Sequence, residues 1–346
     1  KGIMSVPTVY KDQEEFTSGR ATIEQLVEKL DGPLDADAFA DKGVYDVLVI
    51  GGGPAGNSAA IYAARKGLKT GLLAETFGGQ VIETVGIENM IGTLYTEGPK
   101  LMAQVEEHTK SYDVDIIKSQ LATGIEKKEL IEVTLANGAV LKSKTAILAL
   151  GAKWRNINVP GEEEFRNKGV TYCPHCDGPL FEGKNVAVIG GGNSGLEAAL
   201  DLAGITKHVT VLEFLPELKA DEVLQERAAK TDNLTILKNV TTKEIVGQDH
   251  VTGLNYVERD TNEEKHLDLE GVFVQIGLVP STAWLKDSGI ELNERQEIIV
   301  DKFGSTNIPG IFAAGDCTDS AYKQIIISMG SGATAAIGAF DYLIRQ

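Results

Sequence analysis

The sequence predicts an α/β chain with two dinucleotide-binding domains, the second inserted in the first. Three observations lead there. The first is a cassette that occurs twice. Val47-Leu48-Val49-Ile50 runs into Gly51-Gly-Gly-Pro-Ala-Gly56, and Val186-Ala-Val-Ile189 runs into Gly190-Gly-Gly-Asn-Ser-Gly195. Each is a short apolar run, a G-x-G-x-x-G turn, an Ala-rich helical stretch and a second apolar run ending in a carboxylate, Glu75 or Glu213. That order is strand, phosphate turn, helix, strand, the Rossmann-like unit. The second is length: 346 residues exceed one ordinary core and suit two domains. The third is composition, since 42% hydrophobic and 24% charged residues mark a globular chain rather than a disordered one.

Taken in order, residues 1–30 hold an apolar run around Val6 to Tyr10 and a helical pattern at Ile23, Leu26, Val27 and Leu30. One strand and one helix cannot bury a core alone, so this is an extension packed on the main body or the end of another domain. Residues 31–43 are acidic, contain Gly and Pro, and read as a linker. The start Lys1-Gly-Ile-Met-Ser5 has no basic region followed by an apolar stretch, hence no secretory signal, and its lack of an initiator Met suggests a cut or processed piece. The apolar run from Ile325 to Ile337 is broken by Ser328, Gly330, Ser331 and Gly332. It reads as a buried helix whose small residues allow close packing, not a membrane span. The net charge of −17 argues against nucleic acid and anionic lipid as partners. Three cysteines with one close pair are not a secreted disulfide framework, so a cytoplasmic location is expected.

The chemistry sits in four places. In each Gly-rich turn the first Gly (Gly51, Gly190) permits the tight bend, the second (Gly53, Gly192) lets a pyrophosphate approach, and the third (Gly56, Gly195) lets helix and strand pack. Pro54, Ala55, Asn193 and Ser194 open helices whose N-terminal N–H groups and dipole attract phosphate. Glu75 and Glu213 are placed to accept ribose hydroxyls. Phe214-Leu-Pro-Glu217 follows Glu213 without an Arg to receive a 2′-phosphate, which favours NADH over NADPH. The plainer readings are a Gly-rich turn without ligand and an ordinary acid at a strand end. Cys173-Pro-His-Cys176 is half a zinc site or a redox dithiol. With Cys317 far away and no His pair at ligand spacing, the dithiol reading is preferred and no metal is expected. His175 either lowers a thiol pKa or is an exposed spacer. Asp177 either shuttles the proton of dithiol exchange or caps a helix. The stretch from Thr306 to Asp316 is an apolar strand ending in Gly315-Asp316, a flavin contact or a plain strand-to-turn junction. Cys317 reads as a buried structural thiol.

Gly51-Gly-Gly-Pro-Ala-Gly56, Phe77-Gly-Gly-Gln80, Cys173-Pro-His-Cys-Asp-Gly178, Gly190-Gly-Gly-Asn-Ser-Gly195 and Ile311-Phe-Ala-Ala-Gly-Asp316 stand in the order of the low-molecular-weight thioredoxin reductase family, which the chain resembles from about Asp46 onward. Within it, Gly151-Ala-Lys-Trp-Arg155, the run from Gly169 to Phe181 and Tyr322-Lys-Gln-Ile-Ile-Ile327 resemble the flavoprotein F subunits of alkyl hydroperoxide reductases. Thioredoxin reductases usually carry C-A-T-C, and a basic NADP-reading segment where Glu213-Phe214 stand. The resemblance implies an enzyme passing hydride from NADH to FAD, then to the Cys173–Cys176 disulfide, a thioredoxin-like dithiol domain and a peroxiredoxin that removes peroxide. FAD would be held by residues 46–60, Glu75, Gly79, Gln80, Asn89 and 306–316, with Lys323 and Gln324 at the flavin pyrimidine edge. NADH would be held by residues 186–200 and Glu213, with Cys176 facing the flavin and Cys173 exchanging onward. The implied FAD domain is 44–155 with 278–346, and the implied NAD/dithiol domain is 156–277. Rotation of the inserted domain would need hinges near Val159-Pro160-Gly161 and Gly277-Leu-Val-Pro280. Residues 1–30 would be the remnant of an N-terminal thioredoxin-like domain, Ser5-Val-Pro-Thr8 resembling its Val-Pro-Thr turn, and the enzyme would be a homodimer. Rival functions are an NADH oxidase delivering electrons to oxygen and an NADH-dependent thioredoxin reductase. A redox-inert FAD-binding module fits the intact C-x-x-C poorly.

Overall fold

Residues 8–11, 14–18, 39, 42–84, 87 and 89–346 are described by a computed structural model, without the side chains of 8–18, Glu83 and His175. Thr8–Lys11 (β1) and Glu14–Ser18 (β2) pair antiparallel, so the first apolar run does enter a strand, and its partner was not foreseen. The helical pattern at 23–30 and the Val-Pro-Thr turn lie outside the described residues. The chain divides into two compact units. One takes the described residues up to Val81 with Met102–Gly151 and Pro280–Gln346; the other takes Ile82–Leu101 and Ala152–Val279.

In the first unit, Val44–Ile50 (β3) is buried from Val47 onward, the continuous apolar run of a strand covered on both faces. The Gly-rich turn leads into Pro54–Arg65 (α1) and Thr70–Ala74 (β4), which lies parallel to β3 with Val47 opposite Thr70. Gly98–Lys110 (α2) precedes Val114–Lys118 (β5), Ala122–Lys127 (β6), Ile131–Leu135 (β7) and Val140–Leu148 (β8). The sheet order is β5-β4-β3-β8-β7-β6. β8 serves two environments. Its first half alternates exposed and buried residues beside antiparallel β7, and its last four residues are all buried beside parallel β3. The chain therefore reverses its strand order between β3 and β8, and the turn after β3 opens at that switch point, where open α/β sheets bind ligands. Phe39, inside the expected linker, is buried in the core under this sheet with Tyr45, Leu48 and Leu141.

The longer stretch of the second unit starts at Ala152–Trp154 (β9) and continues through Val170–Thr171 (β10), Pro174–Asp177 (α3), Asn185–Ile189 (β11), Asn193–Ala203 (α4), His208–Glu213 (β12), Glu222–Ala229 (α5) and Leu234–Lys238 (β13). Val240–Gly247 (β14), Val251–Glu258 (β15) and Glu263–Asp268 (β16) form an antiparallel meander before Gly271–Val274 (β17) and Leu278–Pro280 (β18). The order β10-β17-β11-β12-β13 is parallel throughout. The switch point lies between β11 and β17, again beside the Gly-rich turn. The expected hinge at 159–161 does not fit. Pro160 accepts the Ile245 N–H at 2.9 Å, and a Cβ on Gly161 would lie 1.9 Å from the Ile245 carbonyl oxygen. Buried Glu162 also accepts the N–H groups of Ile157 and Asn158 and the Tyr172 hydroxyl. That segment is pinned inside its unit; the unit boundaries fall at Gly151/Ala152 and Val279/Pro280.

Back in the first unit, Ile311–Ala313 (β19) pairs with the buried end of β8, and Ile325–Leu343 (α6) closes the chain. By length and composition α6 could cross a membrane, and it runs past Ile337, where the apolar stretch was expected to stop. It packs on α1, Ala335, Ala336 and Ala339 sharing a core with Ala55, Ala59, Ala60 and Ala63, and a Cβ on Gly332 would meet the Ala55 carbonyl oxygen at 2.1 Å. Close packing through small residues therefore holds, but only one face is buried: Ile326, Ile327 and Ile337 are exposed.

Candidate functional site

The two Gly-rich turns have nearly the same backbone. Gly51 and Gly190 both adopt φ +118°, a conformation L side chains rarely reach. A Cβ on Gly56 would stand 1.7 Å from the Gly51 carbonyl oxygen, and one on Gly195 would stand 1.9 Å from that of Gly190. Gly53 and Gly192 cap α1 and α4 with no side-chain hydrogen bond, and a Cβ on either would meet nothing within 4 Å. Each turn is thus closed behind the helix start and open in front of it. That is the shape and donor set a dinucleotide pyrophosphate requires, so both sites fit such a cofactor.

To the first turn the structure brings two of the residues predicted for it, Gly79 and Gly315. Gly78 donates its N–H to the Gly52 carbonyl at 2.8 Å, and a Cβ on Gly79 would stand 3.3 Å from Gly53 Cα. Gln80 follows in the 3-10 segment Gly79–Glu83. A Cβ on Gly315 would stand 2.9 Å from that of Ala55, and the Gly315 N–H donates to Ser331 Oγ. Asp316 accepts from Ser328 Oγ at 2.9 Å; burial pushes its carboxyl above the usual range, while Ser328 and the Lys323 charge oppose that. The Lys323 ammonium donates to the Thr318 carbonyl and pairs with Glu297 at 2.9 Å, both side chains largely covered. Glu297 went unnoticed in the sequence because it lies in the polar run Asn293-Glu-Arg-Gln-Glu297, where one acid resembles another. Gln324 precedes α6, and Glu75 is exposed one residue beyond β4. Asn89, also exposed, belongs to the second unit.

In the second unit, Cys173 and Cys176 form a disulfide with Cα atoms 5.2 Å apart. Cys173 caps α3, and its carbonyl accepts the N–H groups of Cys176 at 3.1 Å and Asp177 at 3.0 Å. Asp177 accepts from the Thr171 hydroxyl, and burial raises its carboxyl pKa, partly offset by that bond. The His175 side chain lies outside the described residues. Asn193, first residue of α4, donates to Asp221 at 3.0 Å and accepts the Asp221 N–H at 2.7 Å, and Ser194 is exposed on the same turn. Glu213 is 8% exposed; its carboxylate accepts the Gly191 N–H and, at 2.8 Å, the Leu215 N–H. The absence of Arg near Glu213 holds along the chain but not in space. The Arg259 guanidinium stacks 4.0 Å over the Phe214 ring and donates to the Phe214 carbonyl at 2.9 Å and Asn239 Oδ1 at 3.1 Å.

Residues 45–332 match the family model of the pyridine nucleotide-disulphide oxidoreductases. The chain is 67% identical to the NADH dehydrogenase of Bacillus subtilis (strain 168), over 346 residues that cover 100% of this chain and 68% of that protein. It is 58% identical to the F subunit of alkyl hydroperoxide reductase in Staphylococcus aureus (strain Mu50 / ATCC 700699), covering 100% of this chain and 68% of that protein. The thioredoxin reductase of Streptococcus pyogenes MGAS5005 superposes with a TM-score of 0.82 at 36% identity, over 88% of this chain and 99% of that one. The chain thus spans about two thirds of the length of the first two relatives.

Proposed function

Since this chain belongs to the pyridine nucleotide-disulphide oxidoreductases, enzymes that use FAD and NAD(P)H, we propose that it is an NADH-dependent flavoprotein that reduces its own Cys173–Cys176 disulfide and hands the electron pair onward by dithiol exchange. The observation that carries this reading is the disulfide itself, at the head of a short helix in the unit that also holds a dinucleotide turn. When bound, the two cofactors supply two-electron hydride chemistry.

The chain's residues supply the rest. Gly51, Gly53, Pro54, Ala55 and Gly56, with Gly79, Gln80, Gly315 and Asp316, would hold FAD; Glu75 would accept its ribose hydroxyls, and Lys323, Gln324 and Glu297 would set the charge beside it. Gly190, Gly192, Asn193, Ser194 and Gly195 would hold the nucleotide pyrophosphate, with the Glu213 carboxylate excluding a 2′-phosphate. Cys176 would receive the electrons, Cys173 would exchange with the next disulfide, and Asp177 would move the accompanying proton. The next disulfide would be that of a thioredoxin-like domain, and the final acceptor a peroxiredoxin, as the relatives named for the F subunit of alkyl hydroperoxide reductase suggest. The exposed apolar face of α6 supports a homodimer, and a cytoplasmic enzyme is part of the same proposal.

The test is anaerobic titration of the FAD-loaded protein with NADH. One equivalent should generate two reagent-accessible thiols, and flavin absorbance should then bleach with further NADH. Bleaching without new thiols would refute the dithiol route. It would favour direct delivery of electrons from the flavin to oxygen.

A further inference from the structure

The group proposed to move the proton has one side-chain partner among the described residues. Asp177 accepts a hydrogen bond at Oδ2 from Thr171 Oγ1. Thr171 ends β10, is 5% exposed, and is fixed by parallel pairing with Phe273 of β17. The same hydroxyl accepts the Cys173 N–H at 3.4 Å. A hydroxyl has one donor and two acceptor sites, so both bonds form at once. Thr171 therefore joins the amide that opens the dithiol loop to the carboxyl that closes it, across the same loop in which the Cys173 carbonyl holds the last two N–H groups.

We propose that Thr171 is a positioning residue for proton transfer at the Cys173–Cys176 pair, its hydroxyl bridging the Cys173 N–H and the Asp177 carboxyl and so orienting that carboxyl toward the dithiol loop. This rests on the reading of Asp177 given above. In balance, NADH, one proton and the disulfide give NAD⁺ and two thiols: the Sγ–Sγ bond breaks, two electrons enter from the nucleotide, and Asp177 passes on a proton. A carboxyl in that role must gain and lose a proton in every cycle. Burial raises the pKa of this carboxyl, and the Thr171 donor opposes that rise. The charged residues on α4, which packs against α3, are Glu197 and Asp201; the turn Gly178–Phe181 carries none. His175 shares α3, and its side chain is outside the described residues. The upward displacement of Asp177 comes from burial, with Thr171 opposing it.

The experiment compares wild type with Asp177→Asn, Thr171→Val and Thr171→Ser, all FAD-loaded. For each, the pH dependence of iodoacetamide alkylation is measured on the dithiothreitol-reduced enzyme, alongside the pH profile of kcat/KM for a small disulfide. Wild type should show an inflection that Asp177→Asn removes. Thr171→Val keeps the shape and loses the donor, and should move that inflection upward by about one pH unit, the size one hydrogen bond to a charged group supports. Thr171→Ser should restore it. An inflection lost in Asp177→Asn but unmoved in Thr171→Val overturns the proposal alone. Equal movement in Thr171→Ser also overturns it, as a packing effect. A profile unchanged in Asp177→Asn overturns the role of Asp177 and the proposal with it. Thr171→Ala replaces Thr171→Val in the comparison if valine lowers flavin content.

Discussion

The two Gly-rich cassettes share a backbone and differ at the acid that follows. After the first, Glu75 lies one residue past β4 and is exposed; after the second, Glu213 is the last residue of β12, buried and opposite Lys238. The glycine between the first and second motif positions shows the offset. A Cβ on Gly52 would meet Ala74 Cβ at 2.6 Å, whereas one on Gly191 would meet Glu213 Oε2 at 2.8 Å. Glu213 thus stands where Ala74 stands, and its carboxylate ties the Gly-rich turn to the segment after β12. The cofactor turn is held by backbone closure in both units. Among the described residues, only in the second does the acid that follows also hold the turn, through the Gly191 and Leu215 N–H groups.

The largest effects should come from breaking what the cassettes share. Gly56→Ala places a methyl against the Gly51 carbonyl, so the purified protein should lack flavin absorbance and unfold at lower temperature. Gly195→Ala makes the equivalent clash in the other unit and should leave the flavin bound but no longer bleached by NADH. Flavin retained in Gly56→Ala, or lost in Gly195→Ala, would reverse the assignment of the two turns. Next comes nucleotide choice. The buried Glu213 carboxylate should favour NADH over NADPH by about a hundredfold in kcat/KM, the scale of a partly screened like-charge clash. Comparable values for the two nucleotides would show that Arg259, beside Phe214, neutralises that charge.

Smaller effects test the difference between the acids. Glu213→Ala strips two backbone N–H groups of their acceptor and should cost about 2 kcal/mol of stability in urea titration. Glu75→Ala, at an exposed site, should change stability by less than about 0.5 kcal/mol and weaken FAD retention. Equal losses of stability in the two variants would erase the distinction. The last effect is confined to alkaline pH and concerns Cys317, fully buried, its thiol within reach of the Leu148 or the Ala314 carbonyl and pushed by burial up to about 11. A raised folded-state pKa favours the neutral thiol, so this contribution to stability is complete below the unfolded pKa of about 8.5 and is lost as pH rises toward 11. Wild type should therefore lose more stability than Cys317→Ala over that window, by up to about 3 kcal/mol as pH nears 11. At pH 8 the NADH-reduced native protein should titrate two thiols, not three.

Local chemistry made much of this legible. The duplicated strand, turn and helix followed from apolar runs and glycine spacing, because a φ near +118° and a carbonyl within 2 Å of a missing Cβ can be met only by glycine. The redox pair followed from two cysteines without further metal ligands. The misreadings share one cause. The hinge expected at Val159-Pro160-Gly161 relied on local backbone character, but β14 and Glu162 pin that segment from a distance. The absence of Arg near Glu213 was judged along the chain, and Arg259 arrives from the end of β15. Thr171 and Glu297 look like ordinary polar residues until strand pairing and loop return bring them to Asp177 and Lys323.

The sequence by itself determined which residues can make a phosphate turn, where the dithiol lies, and that the cassette occurs twice, because each depends on covalent geometry and neighbours a few positions away. Only the tertiary structure decided which face of α6 is buried, which acid clamps its own turn and which hydroxyl holds the Asp177 carboxyl. Those outcomes depend on which distant backbone and side-chain groups are brought within hydrogen-bond or packing distance, and that is set by how the strands order themselves in the two sheets.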